Sequence, residues 1–168
     1  LALTPSRNRK IEALTQYFRE TPDPDRGIAL AILTGALTFR NVKPAVLRDV
    51  VTREVDPYLF SLSYDYVGDL GETVALIWPH HDGNGDLPGL TDIVELFNTT
   101  SRHELPELIA SLLTRAGVNE RWALVKLATG ALRIGLSARL AKTALSEMSG
   151  VALQEIEEVW HGLRVPYG

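Results

Sequence analysis

Leu105, Leu108, Ile109, Leu112 and Leu113 recur at intervals of three and four. That spacing puts all five side chains on one stripe of an α-helix and scatters them over both faces of a strand. Ile11, Leu14 and Phe18 repeat the pattern near the start, and Leu136, Leu140 and Leu145 give a looser version. No stretch sustains an alternation of period two. Leucine and alanine, strong helix formers, contribute 26 and 16 of 168 residues, against 21 for valine and isoleucine together. These observations predict an all-α fold of about ten short helices. The length suits one domain, or two small lobes sharing a core.

Turn and cap residues divide the chain. Thr4-Pro5-Ser6 predicts a helix start, and that helix should end near Thr21 before Pro22-Asp23-Pro24. A very apolar second helix is expected from Asp25 to Phe39. Pro44 suits the first turn of a third, to about Glu54. Asp56-Pro57 opens a short helix, and Gly68-Asp69-Leu70-Gly71 is a turn feeding another that ends before Pro79. Pro79 to Gly89 reads as a loop. Thr91-Asp92 is expected to cap the next helix, Ser101 and Glu104 have capping-box spacing, and Asn119 precedes a helix through Trp122 to about Thr129. Gly130 and Gly135 bracket a break. Ser137 begins a helix to about Met148, and the last runs from Leu153 to Trp160.

The chemistry that is missing excludes several functions. There is no cysteine, hence no disulfide, thiolate metal site or cysteine nucleophile. No apolar run approaches the ~20 residues of a membrane span, and no signal peptide is visible. A soluble, intracellular protein is the expectation. His80-His81-Asp82 reads as an exposed loop. Asp82, Asn84 and Asp86 imitate the first half of a calcium loop, but Leu87 stands where that loop needs glycine and Ile93 where it needs its bidentate acid. No metal site is expected. Trp78, Trp122 and Trp160 sit among apolar helix residues and read as core. The chain opens on Leu1, so a piece of a longer protein is expected.

Charge is segregated. The formal net charge is −4, yet residues 1–53 carry +4, residues 54–114 carry −10, residues 115–142 carry +5 and residues 143–168 carry −3. The total argues against nonspecific polyanion binding, while the segregation argues for a local basic contact surface. Solvated helix faces explain the same pattern.

Three segments bring in a resemblance: TPSRNRKIEALTQYFR (Thr4 to Arg19), DYVGDLGETVALIWP (Asp65 to Pro79) and KLATGALRIGLSARLAKTAL (Lys126 to Leu145). In this order the chain resembles the N-terminal DNA-binding domain of ATP-dependent DNA ligases, nearest to the bacterial type, over nearly its whole length. The third segment is the most specific. The resemblance implies one DNA-binding domain over residues 1–168, built of helical hairpins in two pseudo-symmetric halves. It implies nonspecific, minor-groove binding of nicked double-stranded DNA in repair, replication or recombination, by a monomer in the bacterial cytoplasm at the nucleoid. Nucleotidyltransferase and OB-fold domains would follow, and ATP and magnesium would serve that parent enzyme.

The resemblance also implies DNA-facing residues. In the third segment Gly130, Arg133, Gly135 and Leu136 would approach the sugar-phosphate backbone, with Arg133 giving a charge-assisted phosphate contact. Where some relatives have a basic residue this chain has Ala131. Arg139 and Lys142 would extend the basic strip or simply be solvated. Thr4, Ser6 and Arg7 resemble the family's DNA-facing first-helix start, although Ser6 could equally cap its own helix. Arg9 and Lys10 would be long-range phosphate partners. Gly68 and Gly71 flank Asp69, which would build the turn while glycine backbone approaches DNA; a purely structural turn is the alternative. Glycine permits such approach, and helix N-termini attract phosphate.

Adenylation requires lysine in a lysine–any–aspartate–glycine motif. None of Lys10, Lys43, Lys126 and Lys142 has it. This chain is therefore expected to hold DNA without catalysis or a cofactor of its own, with the catalytic domains after Gly168. The competing reading is a helical protein-interaction module that uses the acidic residues 54–114 as its partner-binding face.

Overall fold

The computed structural model describes residues 6–79, 83, 86–132, 137–163 and 167. Among them the regular structure is ten α-helices: α1 (Arg7–Glu20), α2 (Asp25–Leu33), α3 (Pro44–Glu54), α4 (Pro57–Val67), α5 (Leu70–Ile77), α6 (Leu90–Thr99), α7 (Leu105–Arg115), α8 (Val118–Ala128), α9 (Ala138–Ser149) and α10 (Leu153–Trp160). The all-α expectation and most boundaries hold.

Two compact units form. The first joins the chain's two ends, residues 1–37 and 132–168; the second is residues 38–131. In the first unit the stripe of α1 does what its spacing predicts. Ile11, Leu14 and Phe18 are buried with Leu30 and Leu33 of α2 and with Ala141 and Ala144 of α9. Full burial of Leu14 and Phe18 stabilises by about 2–3 kcal/mol each. Ala141 and Ala144 are fully buried, and their short side chains let α1 lie close on α9.

In the second unit α5 packs on α4 and α8, and α3 on α4 and α7. Leu105, Ile109, Leu112 and Leu113 of the α7 stripe are buried, while Leu108 is half-buried at its edge. Trp78 is fully buried and its indole N–H donates to Thr114 at 3.4 Å. Trp122 and Trp160 are only half-buried, each with a lysine over its ring.

Three local readings are corrected. The second helix stops at Leu33, not Phe39, because Gly35 takes a left-handed φ of 74° and ends it in a Schellman turn: Gly35 N–H donates to Ile32 O and Ala36 N–H to Ala31 O. The sixth helix begins at Leu90 behind Gly89, so Thr91 and Asp92 lie inside its first turn. The eighth begins at Val118, ahead of Asn119, with the Gly117 N–H donating to Glu120.

Candidate nucleic-acid interface

Inter-helix bonds set the direction of α1 and α9. Thr15 donates to Ala144 O and Arg19 to Glu147 O, at sequence separations of 129 and 128. A constant offset requires the two helices to run the same way. Their first turns therefore sit at one end of the first unit, with Lys10 level with Arg139.

The chemistry of those first turns differs from that of most helices here. Seven helices start with a carboxylate of their own: Asp25, Asp56, Glu72, Asp92, Glu107, Glu120 and Glu155, at the N-cap or in the first turn of α2, α4, α5, α6, α7, α8 and α10. Acid there is favourable, because a helix N-terminus carries partial positive charge and unbonded N–H groups. The exceptions are α1, α3 and α9, whose first turns hold no acid. In their place α1 has Arg7, Arg9 and Lys10, α3 has Lys43 at its N-cap, and α9 has Arg139. A cation at this position is locally unfavourable by about 0.3–1 kcal/mol. An external anion at such a start would relieve that cost.

Ser6 occupies the N-cap position of α1, but its side chain makes no cap bond and is exposed. Arg7, Arg9 and Arg139 are exposed as well. Ser137, by contrast, accepts the Leu140 N–H and caps α9. Lys142 lies differently from the expected strip: its ammonium pairs with Glu157 at 3.1 Å, rests over Trp160, and leaves the side chain 15% exposed.

The middle turn is closed. Gly68 ends α4 with a φ of 73° and is exposed. Gly71 is buried, and a Cβ there would meet Lys126 and the Asp69 carboxylate at 3.2 Å. Asp69 accepts the Glu72 N–H at 2.9 Å and pairs with the ammonium of Lys126. Burial pushes the Asp69 carboxyl up, but Lys126 and the Glu72 and Gly71 amides outweigh it and hold the group below its ordinary value. A carboxylate already stands at the α5 terminus where a phosphate would have to sit. Asp69 is thus the turn-building cap expected of it, and Gly71 has a packing reason to be glycine.

Gly130, half-exposed with a φ of 68°, ends α8 in the same Schellman geometry as Gly35. Thr4, Arg133, Gly135 and Leu136, with His80, His81, Asp82 and Asn84, lie outside the described residues. Among the described residues no group of three or more His, Asp or Glu is placed to hold a metal. No helix there is long and apolar enough to cross a membrane.

Sequence reasoning missed two features. The tetrapeptide Thr-Gly-Ala-Leu occurs twice, at 34–37 and 129–132, and in both copies the threonine hydroxyl donates four residues back before the glycine reverses the chain. Each copy falls where the chain passes from one unit to the other, a repeat visible in the sequence. The second is Arg121, the one cation that is fully buried among the described residues, whose guanidinium donates to Leu113 O at 2.7 Å. Burial pushes its pKa down. A single arginine on a helix gives no sequence signal of this.

In the first unit, the acid-free, cationic starts of α1 and α9 lie at one end, an arrangement that would suit an anion. The chain belongs to the N-terminal domain family of ATP-dependent DNA ligases: the family model described as DNA ligase N terminus matches residues 1–146. No curated protein matches the chain.

Proposed function

We propose that this chain grips nicked double-stranded DNA through its sugar-phosphate backbone, across the minor groove and without reading sequence. It would position the break for a ligase catalytic domain of the bacterial type, in repair, replication or recombination. Family membership supports DNA as the partner. The observation that carries the mechanism is the parallel α1–α9 pair, with Arg7, Arg9, Lys10 and Arg139 at one end. Such contacts would attract phosphate and leave base edges unread. Adenylation would belong to neighbouring domains that use ATP and magnesium, since no lysine here has the required motif.

Affinity for a nicked duplex tests this reading. It should fall steeply with salt, with a log–log slope of about −0.9 per phosphate neutralised, and should vary little with sequence. A flat response contradicts the proposal. One observation favours protein docking as a second reading: α4 exposes Tyr58, Leu59, Leu62 and Tyr66, bordered by Asp56 and Asp65. That reading gains if Leu62→Ser abolishes binding to a ligase partner while duplex binding is absent.

A further inference from the structure

The second unit contains a hollow of about 160 Å³ lined by Arg40, Asn41, Lys43, Val46, Arg102 and Leu105. Its walls are built by an in–out pattern. Phe39 and Val42 are buried, Phe39 edge-to-face on Phe97 at 5.2 Å, so Arg40 and Lys43 are turned to solvent. Arg102 comes from the turn before α7, anchored by fully buried Leu105 and by the Ser101–Glu104 bonds. It is the one basic residue in the −10 stretch 54–114, and the fold delivers it to two cations of the +4 stretch.

None of these three cations has an ion-pair partner among the described residues. The nearest carboxylate in sequence, Glu104, is held by the Ser101 hydroxyl at 2.7 Å. Three like charges around one hollow repel, and an anion inside reverses the sign of that interaction. The amide of Asn41 adds hydrogen-bonding capacity, two arginines offer planar forks, and Lys43 a point charge. The floor of Val46 and Leu105 gives such charges a poorly solvated backing.

We infer that this hollow is a phosphate site, and that its occupant is a backbone phosphate of the bound duplex. DNA as the source rests on the function proposed above; the anion site does not. The test is the triple substitution Arg40→Gln/Lys43→Gln/Arg102→Gln, at positions exposed enough to spare the fold. Nicked-duplex affinity at moderate salt should fall roughly ten-fold or more, and the salt slope should shrink by about 1, the loss of one neutralised phosphate. In parallel, inorganic phosphate should move the backbone amide resonances of Asn41, Val42 and Arg102 saturably in the parent chain and not in the triple variant. Phosphate shifts in a chain that binds no duplex would uphold the anion site and remove DNA as its source. Phosphate shifts with an unchanged salt slope would assign the site to a free anion and overturn the DNA assignment. An unchanged slope without phosphate shifts overturns the site altogether.

Discussion

The starts of α5 and α9 resemble each other in sequence and differ in electrostatics. Both follow glycines in sequence, Gly68 and Gly135, and both have an N-cap side chain that accepts an amide of its own helix, Asp69 from Glu72 and Ser137 from Leu140. At α5 the cap is an anion, held under Lys126 and followed by Glu72. At α9 the cap is neutral and Arg139 follows. The lesson is that a glycine turn before a helix marks a shape, while the cap and first-turn charges decide whether a phosphate is welcome.

The largest expected effect is at the closed start. Asp69→Ala removes a cap worth about 1 kcal/mol and strips the partner from a mostly buried lysine, so a stability loss of about 2–4 kcal/mol is expected in denaturant melts. Asp69→Asn keeps a cap acceptor and should lose less. The sign with pH follows from the depressed carboxyl. Asp69 contributes fully above its unfolded value near 3.8, and the contribution fades as pH falls through the lower folded value. The parent chain should therefore lose this increment below about pH 4, and Asp69→Asn should not. Equal acid sensitivity of the two would break the comparison.

Smaller effects sharpen the open start. Arg139→Gln should weaken duplex binding several-fold and reduce the salt slope by about 1, because it removes one exposed phosphate partner. Lys142→Gln, three residues on, should change the slope little, since that ammonium already serves Glu157. Equal slopes for both variants would contradict the distinction drawn between them. The smallest expected effect is at Ser6. Its replacement by alanine should cost only a few tenths of a kcal/mol in thermal melts, whereas Ser137→Ala should cost about 1 kcal/mol.

Much of the fold was legible because helix signals are local. Pro44, Asp56-Pro57 and Ser137 set starts that the structure keeps, and the stripes of α1 and α7 face the cores their spacing implies. The α2 boundary was missed because an apolar run masked the Thr34-Gly35 stop. The site was less legible. Glycines in the second and third resemblance segments pointed to turns, yet whether Gly71 meets a ligand or Lys126 depends on α8, 55 residues away in sequence. Lys142 read as part of a basic DNA-facing strip or as a solvated cation, because its partner Glu157 lies on a different helix. Charge totals hid Arg102 inside an acidic stretch, and only the fold places it beside Arg40 and Lys43.

Backbone amide chemical-shift mapping with a nicked duplex tests the central claim most directly. The account predicts that residues 6–10 and 137–140 move together, lose the response as salt rises, and leave the amides of Leu70 to Thr73 in place. A response centred on α5, with the first turns of α1 and α9 silent, would contradict it.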